Sequence, residues 1–190
     1  IVAYANDTVG HQASYSITVI VDNTPPDVLI SSPQNNSVVH GVITIELSSS
    51  DPHPNKTWLT IDDVVVGSWD GDGSFTYDWD TTTTSDGQHS IIAYANDTVG
   101  NVGSYDIVVT VDNTPPNITI TSPSNDSTVG TSFDVSWDAS DDTTDIEKVE
   151  VYLNGSLDAV YVKGVNMTNT HSFTGLEPNQ DYIVNITVYD

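Results

Sequence analysis

The strongest constraint on this chain is internal: it repeats itself with a period of 90 residues. Ile1–Pro26 (IVAYANDTVGHQASYSITVIVDNTPP) matches Ile91–Pro116 (IIAYANDTVGNVGSYDIVVTVDNTPP) at 19 of 26 positions. That is too many for shared composition to explain, so the two stretches are copies of one unit. The match continues more weakly beyond the Pro-Pro pair. There ISSPQNNSVV from Ile30 aligns with ITSPSNDSTV from Ile120, and the SSSD ending at Asp51 with the DASD ending at Asp141. The expected organisation is the closing strands of one domain (1–23), a complete domain (27–112) and a third domain lacking its last strand (117–190). The chain opens in mid-pattern at Ile1, as a window cut from a longer polypeptide does.

Inside each copy the apolar spacing is two rather than 3.6, which is the rhythm of strands with one buried face. Tyr105, Ile107, Val109 and Val111 share a face, and Tyr15, Ile17, Val19 and Val21 repeat it in the first copy. Tyr182, Val184, Ile186 and Val188 are expected to point inward. No segment carries a helical stripe, and turn clusters such as SPQNNS, DPHPNK, DGDG and TSDGQ punctuate the strands at short intervals, the signature of an all-β sandwich. Between copies, Asp112-Asn113-Thr114-Pro115-Pro116 leads straight into the next strand. Two fixed φ angles and no Gly/Ser spacer make this a stiff linker, and domains so joined are expected to sit end to end.

Charge narrows the partners. Asp plus Glu number 27 against 3 lysines and no arginine, a formal charge of -24. A chain with so few cations cannot assemble the basic surface that nucleic acid or an anionic membrane face requires. No cysteine is present, which excludes disulfides, thiolate metal sites and a Cys nucleophile. No apolar run reaches the ~18 residues of a membrane span, so no membrane insertion is expected.

These residues resemble a known group. Trp79-Asp80-Thr81-Thr82, Asp86-Gly87, Ala93 through Asn101 (AYANDTVGN) and Val111-Asp112-Asn113-Thr114-Pro115-Pro116 look like the tandem Ig-like repeats of large bacterial and archaeal cell-surface proteins. The third copy is more similar to fibronectin type III: Val135-Ser136-Trp137 early, Lys148 through Tyr152 in the middle, and Leu176-Glu177-Pro178 four residues before Tyr182. The last spacing resembles a tyrosine corner, in which the Tyr182 phenol bonds back to nearby backbone; the second copy has His89 at the aligned place. The resemblance implies tandem immunoglobulin-like and fibronectin type III-like β-sandwiches in an extracellular, cell-surface setting. It does not imply one activity, because such sandwiches host many roles.

In a seven-strand sandwich, strand A begins at the pole where B and F end, so three acidic segments converge there. For the second domain these are Asp22 and Asn23, Asp51, and Asp97; for the third, Asp112 and Asn113, then Asp138, Asp141 and Asp142, then Asp190, which aligns with Asp97. Clustered carboxylate and amide oxygens suit a hard cation with six to eight oxygen ligands, and Ca²⁺ is the candidate. The arrangement resembles the calcium-stiffened junctions of cadherins and some bacterial adhesins. The competing reading is that Asp and Asn simply favour turns. Asp70-Gly71-Asp72-Gly73 lacks the EF-hand ligand order and reads as a β-turn.

Nine Asn-x-Ser/Thr sequons occur, at Asn6, Asn35, Asn55, Asn96, Asn117, Asn125, Asn154, Asn166 and Asn185, each a candidate glycan acceptor on an extracellular chain. Trp58, Trp69, Trp79 and Trp137 are expected in the core, the other reading being a sugar-stacking platform. The histidines, His11, His40, His53, His89 and His171, show no metal spacing and read as loop or rim residues. No GxSxG, HExxH, P-loop or Rossmann fingerprint is present, and no catalytic residue is assigned.

Two functions remain open: a structural repeat segment of a surface layer, sheath, filament or adhesin stalk, or a carbohydrate-binding or accessory module of a secreted glycosidase or protease. The expected partners are other copies or domains of the same surface protein and surface glycans. The two ends also admit two explanations, truncation of a longer array or exchange of strands between chains.

Overall fold

The computed structural model describes residues 1–190. It is built from β-strands with a single 3-10 turn at Thr81–Thr83. β1 (Val2–Asn6) and β2 (Gln12–Ser16) form an antiparallel hairpin. The next nine elements of the chain are β3 (Asp27–Ser32), β4 (Val38–Val39), β5 (Val42–Ser50), β6 (Pro54–Ile61), β7 (Val64–Asp70), β8 (Gly73–Asp80), the 3-10 turn, β9 (Gly87–Asp97) and β10 (Val102–Val111). They make a three-stranded sheet in the order β3-β5-β8 and a five-stranded sheet in the order β4-β10-β9-β6-β7. The remaining strands are β11 (Asn117–Ser122), β12 (Phe133–Ser140), β13 (Lys148–Leu153), β14 (Ser156–Val162), β15 (Thr170–Phe173) and β16 (Val184–Tyr189). They make two three-stranded sheets, β11-β12-β15 and β14-β13-β16. The fold is all-β, in tandem β-sandwich repeats.

Two compact units divide the chain: residues 1–35, 44–78 and 90–108, and residues 36–43, 79–89 and 109–190. In the first, alternate residues of β5, β6 and β9 turn inward, so that Ile45, Leu47, Leu59, Ile61, Ile91, Ala93 and Ala95 are buried with Ile30 and Ile107. In the second, Val135, Trp137, Val149, Val151 and Phe173 form a core against which Val184, Ile186 and Val188 pack, as the period-two pattern requires. The Tyr182 phenol accepts a hydrogen bond from the Glu177 backbone N–H at 2.9 Å, which closes the expected corner.

Several expectations need correction. Ile107, Val109 and Val111 are buried, but Tyr105 at the start of their row is exposed. The same row in the first copy is exposed throughout: Tyr15, Ile17, Val19 and Val21 are 74%, 46%, 58% and 79% accessible, and residues 17–21 lie outside any strand. The reason is local supply. β2 pairs only with β1, and no opposing sheet covers the hairpin. Asp62 and Asp63 form the two-residue turn between β6 and β7, with φ of 49° and 65°. His89 is not a rim residue but is buried in β9, edge-on to Trp79 with ring centroids 5.7 Å apart. Its Nε2 meets the Ser85 carbonyl oxygen at 2.8 Å, a backbone tie at the place where the third copy uses Tyr182.

Candidate metal centre

Two acidic clusters arise in consecutive copies around the equivalent pairs Asp22–Asp51 and Asp112–Asp141, and each lies within one unit. In the first unit, carboxylate oxygens of Asp22 and Asp51 and a ring nitrogen of His53 fall within 4.8 Å of one another. Each aspartate is held by a turn of its own. Asp22 Oδ1 accepts the Thr24 amide at 3.1 Å, and Asp51 Oδ1 accepts the His53 amide at 2.7 Å. The second oxygen of Asp22 meets His53 Nδ1 at 2.9 Å.

In the second unit, carboxylate oxygens of Asp112, Asp141 and Asp190 fall within 4.8 Å of one another. The turns recur: Asp112 Oδ1 accepts the Thr114 amide at 3.2 Å, and Asp141 Oδ1 accepts the amides of Thr143 and Thr144 at 2.8 and 2.9 Å. The Thr144 hydroxyl donates to Asp112 Oδ2 at 2.7 Å. Asp141 Oδ2 is buried and has no hydrogen-bond partner. Leaving a carboxylate oxygen buried and unpaired is costly, and a cation is one of the few groups able to offset it. Three carboxylates and one orphaned oxygen are a donor set that fits a hard divalent ion of the calcium type. The first cluster fits it less well, because an imidazole nitrogen already occupies Asp22 Oδ2 and nitrogen is a poor ligand for such an ion.

The other predicted ligands lie apart from these groups. Asp97 is buried at the β9–β10 hairpin loop, where Oδ1 accepts the amides of Val99, Gly100 and Asn101 and Oδ2 accepts the Asn101 side-chain N–H. Burial raises its pKa, but the bonds from Asn101, Gly100 and Val99 outweigh this and hold it below the ordinary value. Its oxygens are thus committed to shaping the loop. Asn113 uses its amide group on Gly41 and Thr81. Asn23 and Asp138 are exposed, and exposed Asp142 lines the same open concavity as Asp112, Asp141 and Asp190 without joining the three. Asp70 and Gly73 end β7 and begin β8, so the DGDG stretch is a turn, and Asp72 Oδ2 accepts the Asp51 amide. His53 and Thr144 escaped the sequence reading. The available signal was their position two and three residues after an aspartate that caps its own turn.

Eight of the nine sequon asparagines are exposed, and Asn96 is half-buried. The Nδ2 groups of Asn55, Asn125 and Asn166 already donate to protein oxygens. Of the tryptophans, Trp79 and Trp137 are core residues, whereas half-buried Trp58 stacks on Tyr94 (5.2 Å, 9°) and half-buried Trp69 on Phe75 (5.0 Å, 17°). A third polar group centres on Glu150, whose carboxylate accepts the phenols of Tyr189 and Tyr152 and pairs with Lys148. Those contacts, the Tyr189 bond foremost, hold its pKa down at about 2.

A sequence model described as a bacterial Ig domain matches residues 26–93 and again 116–188. The chain belongs to the bacterial Ig-domain family. Such domains typically occur in extracellular or surface proteins. No curated protein matches the chain. Among solved structures, this pair of bacterial Ig repeats is similar to the fibronectin(III)-like modules of Clostridium thermocellum CbhA (18% identity, TM-score 0.46, 86% of each chain covered). It is also similar to the endo-beta-1,4-mannanase of Thermotoga petrophila (19%, TM-score 0.42, 49% of this chain and 21% of the other). The dimeric latent PorU of Porphyromonas gingivalis is similar at 15% and TM-score 0.42, over 98% of this chain and 22% of the other. The Ig repeats thus span about a fifth of the mannanase and of PorU. No helix is long and apolar enough to cross a membrane.

Proposed function

We propose that these repeats are a structural segment of an extracellular cell-surface protein, such as a surface layer, sheath, filament or adhesin stalk, in which calcium stiffens a Pro-Pro joint between domains. The observation that carries the calcium reading is the buried, unpartnered Oδ2 of Asp141 beside Asp112 and Asp190. Bound there, the ion would relieve repulsion among three carboxylates and tie the residues before Pro115 to the loop after β12. What supports the structural role is the recurrence of one unit every 90 residues, an acidic and hydroxyl-rich skin that favours solubility, and the absence of any catalytic fingerprint in the sequence. The exposed sequons offer glycan acceptors, and the partners of such a segment are further copies or domains of the same protein and surface glycans.

Calorimetry with and without calcium tests the ion. Added calcium is expected to raise the melting temperature of the second unit, and Asp141→Asn to abolish the rise; an unchanged melting curve on going from EDTA to calcium would overturn it. A second reading, an accessory module that contacts polysaccharide, is favoured by the half-buried Trp58–Tyr94 stack. Glycan-array binding that disappears in Trp58→Ala would support that module against the structural segment.

A further inference from the structure

β6 and β9 lie side by side within the five-stranded sheet, and their residues alternate between its two faces. Thr57, Leu59, Ile61, Ile91, Ala93 and Ala95 are buried on the inner one. Trp58 and Tyr94 stand opposite one another on the outer face, half-buried, and stack at 5.2 Å with their rings 9° apart. Such a pair stabilises the two strands that carry it, but the core does not require it. In the third copy Glu150 faces Thr187 as Trp58 faces Tyr94, so the same rung of the sheet is built there without an aromatic pair.

The next rung on that face carries an acceptor. Asn96 is two residues beyond Tyr94 on β9, hence on the same face and roughly 7 Å along the strand, and it opposes Lys56. It begins the sequon Asn96-Asp97-Thr98, and Asn55, in the bulge between Pro54 and Lys56, begins another. The two amides are bonded to each other, Asn55 Nδ2 donating to Asn96 Oδ1 at 3.2 Å. That bond separates their roles. It engages the Asn55 nitrogen, and because the amide is planar, accepting at Oδ1 turns the Asn96 nitrogen away from Asn55. Thr98, whose hydroxyl completes the Asn96 sequon, is exposed. The third copy has Tyr189 opposite Lys148 where the second has Asn96 opposite Lys56. Stack and acceptor thus occur together in one copy, and neither occurs at the aligned place in the other.

We propose that Asn96 is N-glycosylated and that the first sugar of its glycan folds back onto the Trp58–Tyr94 stack, a placement that rests on the extracellular reading with glycan acceptors given above. In the transfer the Asn96 nitrogen loses a proton and bonds the anomeric carbon of a sugar. The bond from that carbon to the phosphate of a lipid-linked donor breaks, and the lipid phosphate leaves. The C–H-rich face of the pyranose then covers aromatic surface that is otherwise wet, while its hydroxyls bond water and the Lys56 ammonium that opposes Asn96. Ser68, opposite Trp58 on β7, is too short to fill the same space. The register also sets the Asn185 sequon opposite Tyr152, where a single ring, tied to Glu150 by its hydroxyl, replaces the stack.

Peptide mapping of the protein from its native source is expected to find saccharide on Asn96 and none on Asn55. Saccharide at other sequons with Asn96 bare would overturn this inference and leave the extracellular reading standing; no saccharide at any sequon would overturn the inference and take the glycan acceptors out of that reading as well. Packing is measured on the glycosylated protein. Thr98→Ala, which removes the acceptor signal and keeps the Asn96 side chain, should lower the melting temperature of the first unit by roughly 4 °C. In a Trp58→Leu background the same change should cost less than about 1 °C. In the NMR spectrum of the protein without substitutions, protons of the sugar on Asn96 should be shifted upfield by the two aromatic rings. Unshifted sugar protons, or an equal effect of Thr98→Ala with and without Trp58, would show that the glycan stands clear of the stack and would overturn the proposal.

Discussion

Residues 1–21 and 91–111 are nearly one sequence in two surroundings. Both fold into a hairpin around the same loop. In one, Asp7 accepts the amides of Val9 and His11; in the other, Asp97 accepts those of Val99, Gly100 and Asn101. Gly10 and Gly100 take φ of 96° and 97°. Beyond the loop the copies part. β10 runs on to Val111 and buries Ile107, Val109 and Val111, whereas β2 ends at Ser16 and the aligned Ile17, Val19 and Val21 are in solvent. The turn is thus a property of its own half-dozen residues, while strand length and burial depend on what other strands bring to the sheet.

The sharpest way to break this contrast is to truncate the same residue in both copies. Ile107→Ala should cost about 2–5 kcal/mol in denaturant unfolding of the first unit, as a buried cavity does, and Ile17→Ala less than about 0.5 kcal/mol. Equal costs would show that the first hairpin is packed after all.

Gly103 gives the next largest effect. A Cβ at that position would lie 1.9 Å from the Pro26 backbone oxygen, so Gly103→Ala should destabilise by roughly 1–3 kcal/mol through forced displacement of backbone. The first copy carries Ala13 at the aligned position, where it is exposed, and Ala13→Gly should leave the unfolding midpoint of the first unit unchanged.

Acid separates the copies more finely. Asp97 has a pKa below its ordinary value when folded, so the unfolded chain binds its proton more readily. Its contribution is complete above the ordinary carboxylate range of about 4 and is lost as pH falls below that. Asp97→Asn should flatten the acid limb of the first unit's stability curve, and Asp7→Asn, in the hairpin without a core, should leave that limb as it is.

The smallest expected effect lies outside both copies and calibrates the others. Glu150, held at about 2 in the fold against an ordinary 4.5, contributes fully above pH 4.5 and loses that contribution as pH falls toward 2. An NMR titration of its carboxyl should show the low midpoint, and Tyr189→Phe should raise it. A midpoint near 4.5 in the unmodified protein would mean that the Tyr189 and Tyr152 bonds do not persist in solution.

The legibility of the acidic sites followed the same division. The pairs Asp22–Asp51 and Asp112–Asp141 were readable because each aspartate caps a local turn, and the period carries one pair onto the other. Asp190, the third member in the second unit, was readable by its alignment with Asp97; what the spacing could not give were the side chains that meet these aspartates from elsewhere. His53 comes to Asp22 across 31 residues and Thr144 to Asp112 across 32, contacts made only when distant loops are brought together. Asp97 misled for the converse reason: its oxygens are consumed by its own hairpin, a demand that a count of carboxylates does not register.

Strand rhythm, turn chemistry and the 90-residue period are written in the order of the residues, because each rests on neighbours within a few positions or on direct comparison of one copy with the next. The sequence by itself therefore determined that this protein is all-β, that it repeats, and where its loops turn. Which copy of an identical Ile-x-Val-x-Val row is buried was decided only in the tertiary structure, as was the oxygen of Asp141 left without a partner. Burial is a relation between segments far apart in the chain, and identical residues acquire different energies when different strands arrive to cover them.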